Sequence, residues 1–308
     1  MNKIVAICGP TAVGKTAYSI EIAKKFDGEI VSCDSMQLYK YMDIGSAKPS
    51  SEELNQVKHH LIGIVDPSEM FSVAKYKELA NDAIDDIISR GKLPIIAGGT
   101  GLYLDALLYD LDFAAAPSDD SLRDELYKIA EEKGNLELHA ILQECDPSSA
   151  KRIHPNNVRR VVRAIESAKS GVQLKDFAKD LSLNDKYEFI LIGLRRDREE
   201  LYDRINRRVD VLVEEGLFEE VKMLREMGLS ESDISMKGIG YKEVLAYFDG
   251  KYDLETAIDT IKKNTRHFAK RQITWLKRYD DMKWFDLSES KDDKDSIREI
   301  ITWLEKSL

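Results

Sequence analysis

Cysteine is scarce in this 308-residue chain: Cys8, Cys33 and Cys145, an odd number with no CxxC spacing. That excludes a disulfide framework and a cysteine zinc site, and it fits a reducing cytoplasm. Long apolar runs are missing too. No stretch approaches the ~20 residues that a membrane span needs. The strand-like start Lys3-Ile4-Val5-Ala6-Ile7-Cys8 is no basic leader followed by an apolar run and a cleavage site, so no signal peptide is expected. Internal repeats and low-complexity tracts are absent. With 43% hydrophobic and 33% charged residues, the composition is globular rather than disordered, collagenous or coiled-coil. The length predicts about two domains, or one large domain carrying an insertion.

Net charge is −10, which argues against a polyanionic partner, but the charge is uneven. Residues 262–278 hold Lys262, Lys263, Arg266, Lys270, Arg271, Lys277 and Arg278 with no acid. Residues 151–163 hold Lys151, Arg152, Arg159, Arg160 and Arg163, again with no acid. Residues 117–146 are acidic. Steering of a charged partner depends on such local fields rather than on the total.

Short apolar runs at 3–8, 29–33, 60–65, 93–97 and 189–194 read as buried strands. Between them lie helical patterns. Tyr18, Ile22 and Phe26 fall on one face, and Ser72 caps a helix whose apolar positions run from Val73 to Ile88 and stop near Gly91. Alternating strands and helices predict an α/β fold with a parallel sheet core flanked by helices. The run 114–118 (Ala-Ala-Ala-Pro-Ser) reads as a linker. The expected domains are therefore a core of 1–113 and 187–308, with mostly helical residues after 197, and a helical insertion at 114–186. The acidic tail 280–299 reads as solvated.

Gly9-Pro10-Thr11-Ala12-Val13-Gly14-Lys15-Thr16 fits GxxxxGK[ST], the P-loop of nucleotide- and ATP-binding proteins, and it sits between a strand and a helix as that motif requires. Glycines let the backbone curl so that N–H groups point inward, and the helix adds its positive end. Lys15 supplies a point charge and the Thr16 hydroxyl a ligand for Mg²⁺. The cradle does not name its ligand: a nucleoside triphosphate or any diphosphate fits. NTPases usually place an acid after a buried strand, but the run 93–97 ends in Gly98-Gly99-Thr100, which weakens hydrolase and kinase readings. Asp34 and Thr100 also follow strands, and ligands of such sheets bind beyond strand carboxyl ends. Asp34 reads either as a base beside the cradle or as the N-cap of a following helix. Thr100 reads either as a donor to a leaving oxygen or as part of a plain turn.

Further runs extend the pattern. They are Asp-Ser-Met-Gln-Leu-Tyr at 34–39, Ala-Lys-Pro at 47–49, Gly-Gly-Thr-Gly-Leu-Tyr at 98–103, His-Pro-Asn-Asn at 154–157, Lys-Gly-Ile-Gly-Tyr-Lys-Glu at 237–243 and Ala-Lys-Arg-Gln-Ile-Thr-Trp-Leu at 269–276. In this order, over nearly the whole chain, they resemble the bacterial tRNA dimethylallyltransferase (tRNA isopentenyltransferase) family. The resemblance implies a P-loop NTPase-like core. It also implies transfer of the five-carbon group of dimethylallyl diphosphate to N6 of the adenosine immediately 3′ of the anticodon. Residues Gly9, Thr11, Ala12, Val13, Gly14, Lys15 and Thr16 would then hold the diphosphate of the prenyl donor rather than ATP. Asp34 would be the general base, with Thr100 and Lys15 at the reacting centre. Asp34, Ser35, Met36, Gln37 and Thr100 would contact the flipped adenosine and its neighbours. The insertion, with Arg123, Arg159, Arg160, Val161, Val162 and Arg163, would grip the anticodon stem-loop. Val13 stands where many members have Ser, and Val158-Arg159 where some have Pro-Gln. Neither the zinc module of some eukaryotic relatives nor an oligomer is expected.

On a helix through 262–278, Lys263, Arg266, Lys270 and Lys277 share one face while Ile261, Phe268 and Trp275 form a separate apolar stripe, so that face is read as an RNA contact. His59 and His60 lack a partner at metal spacing and read as hydrogen-bonding residues. Arg195, Arg196 and Arg198 either touch the ligand or pair with Glu199, Glu200 and Asp203. Prenyl transfer to free AMP, a small-molecule kinase and a non-enzymatic RNA-binding module are the competing functions.

Overall fold

The computed structural model describes residues 1–109, 111, 120–171, 182–290 and 292–308. Six strands form one parallel sheet: β1 (Asn2–Cys8), β2 (Gly28–Cys33), β3 (His59–His60), β4 (Leu93–Gly98), β5 (Tyr187–Arg195) and β6 (Lys283–Asp286). Their spatial order is β3-β2-β4-β1-β5-β6. A parallel sheet is covered on both faces, so its central strands are apolar throughout rather than alternating. Residues 4–8 of β1 are accordingly all buried.

The helices α1 (Lys15–Lys25), α2 (Ser51–Gln56), α3 (Val73–Ser89) and α4 (Gly101–Leu108) follow the first strands. In α3 the Ser72 hydroxyl accepts the Lys75 N–H at 3.2 Å, which satisfies one free donor of the first turn. Tyr76, Ala80, Ile84 and Ile87 form its buried stripe, and Gly91, at φ +72°, ends it.

The chain folds into two compact units, Met1–Leu108 with Asn184–Leu308, and Tyr109–Leu183. The second unit carries α5 (Asp120–Lys133), α6 (Asn135–Cys145), α7 (Pro147–Arg152) and α8 (Val158–Lys169) around a core that includes Leu126, Leu138, Leu142, Val161 and Ile165. The linker expected at 114–118 lies outside the described residues. The first unit resumes with β5 and continues through α9 (Arg198–Glu214), α10 (Leu217–Glu226), α11 (Tyr241–Phe248), α12 (Leu254–Leu276) and α13 (Asp293–Ser307).

Two expectations are corrected. The strand read at 60–65 stops at His60, because Leu61 and Gly63 take left-handed backbone at φ +62° and +60°, and Val65 makes only an isolated bridge to Tyr39. The tail at 280–299 is not simply solvated. Phe285 of β6 and Leu287 join the core, and Ile297 of α13 packs against it. Charge counting misses a buried stripe that runs through an acidic segment.

β1 is flanked by β4 and β5, and the chain leaves it toward β2 on one side and reaches β5 on the other. Strand order therefore switches beside β1, and a crevice opens beyond its carboxyl end. The Gly9–Thr16 turn emerges there.

Candidate active site

Three neighbouring strands, β2, β4 and β1, deliver three loops to that crevice. After β1, Ala12 at φ +64° and Gly14 at φ +115° curl the backbone before α1 begins. Only glycine suits position 9, since a Cβ there would sit 2.8 Å from the Leu194 carbonyl. No side chain caps the first turn of α1, so its N–H groups and dipole face the crevice. The Lys15 ammonium donates to the carbonyls of Gly9 (3.1 Å) and Pro10 (2.8 Å). Burial pulls its pKa down to about 8, and the Asp34 carboxylate opposes that fall. Guanidinium groups brace the loop: Arg204 donates to the Ala12 carbonyl (3.0 Å) and Arg196 to that of Val13 (3.1 Å).

After β2, Asp34 Oδ1 accepts the N–H groups of Met36 (2.8 Å) and Gln37 (3.3 Å). This is a local turn and not a helix N-cap, since no helix follows before Ser51. Oδ2 is left without a protein partner among the described residues. After β4, the Thr100 carbonyl accepts from Tyr103 and Leu104, which starts α4. Thr100 Oγ1 accepts the Ser35 N–H at 3.1 Å. Its own proton is left for a ligand or for Ser35 Oγ, 3.5 Å away.

A cavity of about 350 Å³ is lined by Thr11 and Ala12, by Asp34 to Met36 and by Thr100. Its opposite wall is apolar, with Ile205 and Val209 from α9 and Ile261 and Phe268 from α12, and Arg208 and Arg271 add positive charge. Burial lowers the Arg208 pKa, again opposed by Asp34, but a guanidinium stays charged at any ordinary pH. A narrower cleft with Lys15, Thr16, Gln37 and His59 in its walls also reaches Asp34. The site thus combines a phosphate cradle, a free carboxylate oxygen, a hydroxyl and an apolar wall.

The structure separates the remaining candidates. Val161 and Val162 are corrected: both are buried in the core of the second unit and cannot reach a polynucleotide. They face inward on α8, while Arg159 and Arg160 are exposed. Arg123 and Arg163 converge on the buried Glu166, at 2.7 and 3.5 Å. On α12, Lys263 and Lys270 are exposed, but Arg266 is half-buried and donates to Asn206 (2.6 Å). Arg195 pairs with Asp286 (3.0 Å), and Arg196 with Glu200 (2.7 Å) and Asp293 (2.6 Å). His59 bonds the Val57 carbonyl and His60 the Glu29 carboxylate, both at 2.8 Å.

Sequence reading misses Arg204, Arg208, Glu220 and Gln272. Arg204 and Arg208 sit one turn apart on α9, a spacing that marks one helix face. Glu220 on α10 accepts the N–H groups of Asp43 (2.7 Å), Ile44 (2.8 Å) and Gly45 (2.9 Å), together with the Tyr241 hydroxyl (2.8 Å). It thereby fixes the loop whose next residues, Ser46 and Ala47, line the cavity. The Ala47 carbonyl in turn accepts from Gln37 (3.1 Å) and Arg208 (3.4 Å).

Comparison with known proteins gives one consistent result. Residues 37–279 match the family model described as IPP transferase. A tRNA dimethylallyltransferase of Alkaliphilus oremlandii is 51% identical over 93% of this chain and 92% of its own length. The crystal structure of the full-length tRNA isopentenylpyrophosphate transferase from Bacillus halodurans is similar, at 45% identity and TM-score 0.75, with 99% of this chain and 96% of that one covered. A eukaryotic dimethylallyltransferase acting on tRNA is also similar, at 29% identity and TM-score 0.84, covering 100% of this chain and 80% of that one.

Proposed function

The chain belongs to the IPP transferase family, and on that premise we propose that it transfers the dimethylallyl group of dimethylallyl diphosphate to N6 of the adenosine immediately 3′ of the anticodon in tRNA. The observation that carries the chemistry is the meeting of Thr11 and Ala12 of the cradle with Asp34 and Thr100 at one cavity with an apolar wall, while Lys15 and Thr16 line a cleft that also reaches Asp34.

An aryl amine is a weak nucleophile, so the allylic carbon must supply much of the activation. The C–O bond to the diphosphate breaks, the electron pair leaves with the diphosphate, and N6 bonds the freed carbon. Lys15 and Arg208 lie where negative charge grows on the departing group. Asp34 Oδ2 accepts the N6 proton late, as the new C–N bond forms. The Thr100 hydroxyl donates to the departing oxygen. The apolar wall holds the isoprenoid and excludes water from the allylic cation-like centre.

Among the described residues no group of three His, Cys, Asp or Glu side chains could hold a metal ion. The Thr16 hydroxyl lines the cleft beside Lys15 and Asp34, and it fits Mg²⁺, which takes few protein ligands and keeps waters and phosphate oxygens. The Thr16 hydroxyl would hold it, and when bound it neutralises charge on the leaving diphosphate.

The target base must leave its stack, at a cost of a few kcal/mol. Phosphate contacts offset that cost and make binding salt-dependent. Arg159 and Arg160 of the helical insertion and Lys263 and Lys270 of α12 are the exposed cations suited to this role. Lys270→Ala is expected to weaken tRNA binding and to lower the slope of log affinity against log salt by about one. Titration of the anticodon stem-loop at several salt concentrations checks this, and an unchanged slope removes Lys270 from the interface. No described helix is long and apolar enough to cross a membrane. A tRNA substrate supports a cytoplasmic location.

The decisive experiment incubates the protein with labelled dimethylallyl diphosphate and unmodified tRNA and analyses the hydrolysate by mass. Label on one adenosine beside the anticodon is expected. Unlabelled RNA rejects the proposal, and faster transfer to AMP reassigns the acceptor.

A further inference from the structure

We propose that Gln272 is a positioning residue that sets the spacing between the diphosphate loop and the Thr100 loop; the inference rests on the prenyl-transfer reading. Gln272 projects from α12 and is only 6% exposed. Its Oε1 accepts the Thr11 N–H at 2.9 Å, and its Nε2 donates to the Gly99 carbonyl at 2.9 Å. One loop presents a donor and the other an acceptor, and a neutral amide satisfies both. A carboxylate would keep the first bond and lose the second, and an apolar side chain would lose both.

The surroundings are shaped for this amide. A Cβ at Gly99 would lie 2.3 Å from Gln272 Nε2 and 2.9 Å from the Gly9 carbonyl. Three residues further along the same helix, the Trp275 ring occupies the space that a Cβ at Gly101 would need, 2.2 Å from its Cδ1. Gln272 and Trp275 therefore hold the two glycines on either side of Thr100. From Thr100 the constraint passes to the Ser35 N–H (3.1 Å) and so to the turn that aims Asp34. At its other end Gln272 holds the second residue of the diphosphate-loop backbone after Gly9. No side chain within the sequence motifs at 9–16, 34–39 or 98–103 makes this link between the two loops.

The carbon that must travel from diphosphate to N6 crosses the gap between these loops, and a displacement of about 1 Å in such a geometry can cost ~10²-fold in rate. Three measurements are compared for wild type, Gln272→Ala and the near-isosteric Gln272→Glu: amide hydrogen exchange at Thr11, affinity for inorganic diphosphate, and single-turnover transfer to an anticodon stem-loop. In the alanine variant the single-turnover rate is expected to fall about 10²-fold, with stem-loop KM unchanged and faster Thr11 exchange. In the glutamate variant the rate is expected to fall about 10-fold, with Thr11 exchange near wild type. Rates within twofold of wild type in both variants would overturn the proposal. So would losses that track the unfolded fraction alone. If Gln272→Ala does not fold, Gln272→Glu decides the kinetic question. If the wild type transfers nothing to RNA, prenyl transfer fails as a function, and the exchange and diphosphate measurements still report whether Gln272 braces the loop.

Discussion

Asp34→Asn is expected to lower turnover by about 10²–10⁴-fold, the range that a positioned general base contributes. Asparagine retains an oxygen for the Met36 and Gln37 N–H groups, so the turn that carries the residue survives. What disappears is the negative oxygen facing the cavity. The variant has a second, smaller effect. The Asp34 charge supports the ammonium form of Lys15, whose pKa burial has already brought to about 8. Without it that pKa falls further, so diphosphate affinity should weaken as pH rises, and at a lower pH than in wild type. Single-turnover rates and donor affinity measured from about pH 6.5 to about pH 9, a range that brackets the lysine's transition, separate the two effects. Near-normal turnover at saturating donor would remove Asp34 as the base.

Glu220→Ala is expected to cost about 3 kcal/mol of folding stability. Each hydrogen bond to a charged group is worth roughly 1.5–3 kcal/mol, and this carboxylate makes four. Water re-solvates part of the loop, because Asp43 is exposed, whereas Tyr241 is fully buried and is left with a stranded hydroxyl. For a chain of this size the loss corresponds to a fall of roughly 5 °C in Tm. Denaturant titration should show a lower midpoint at an unchanged slope, the mark of an effect on stability alone. A midpoint equal to wild type would mean that the loop at residues 43–45 is held by other means.

How much of the molecule can be read from its residues follows from the range over which each acts. The Gly9–Thr16 cradle, the Asp34 turn and the Gly98–Gly101 turn are contiguous runs at strand ends, and local spacing reveals them. The sheet is legible because its strands are short apolar runs separated by helical periodicity. Gln272 and Glu220 act on backbone groups more than 170 positions away; Gln272 lies in a recognisable run, but no local spacing shows which distant groups either residue holds. Val161 and Val162 escape a linear reading for a related reason. A run of five residues on α8 does not form one surface, because successive helix positions point in different directions. In the acidic tail, charge alone hides Phe285, Leu287 and Ile297, which join or pack against the core.

The place of β1 between β4 and β5 also bears on biogenesis. β1 precedes every other strand in the chain, yet on one flank it pairs with Tyr187–Arg195, which leaves the ribosome only after the entire helical insert. The nascent chain must carry an apolar, half-paired strand for most of its synthesis, a topology that folds slowly and exposes an aggregation-prone edge. The anion-binding turn that follows β1 therefore gains its complete strand surroundings only once β5 has paired.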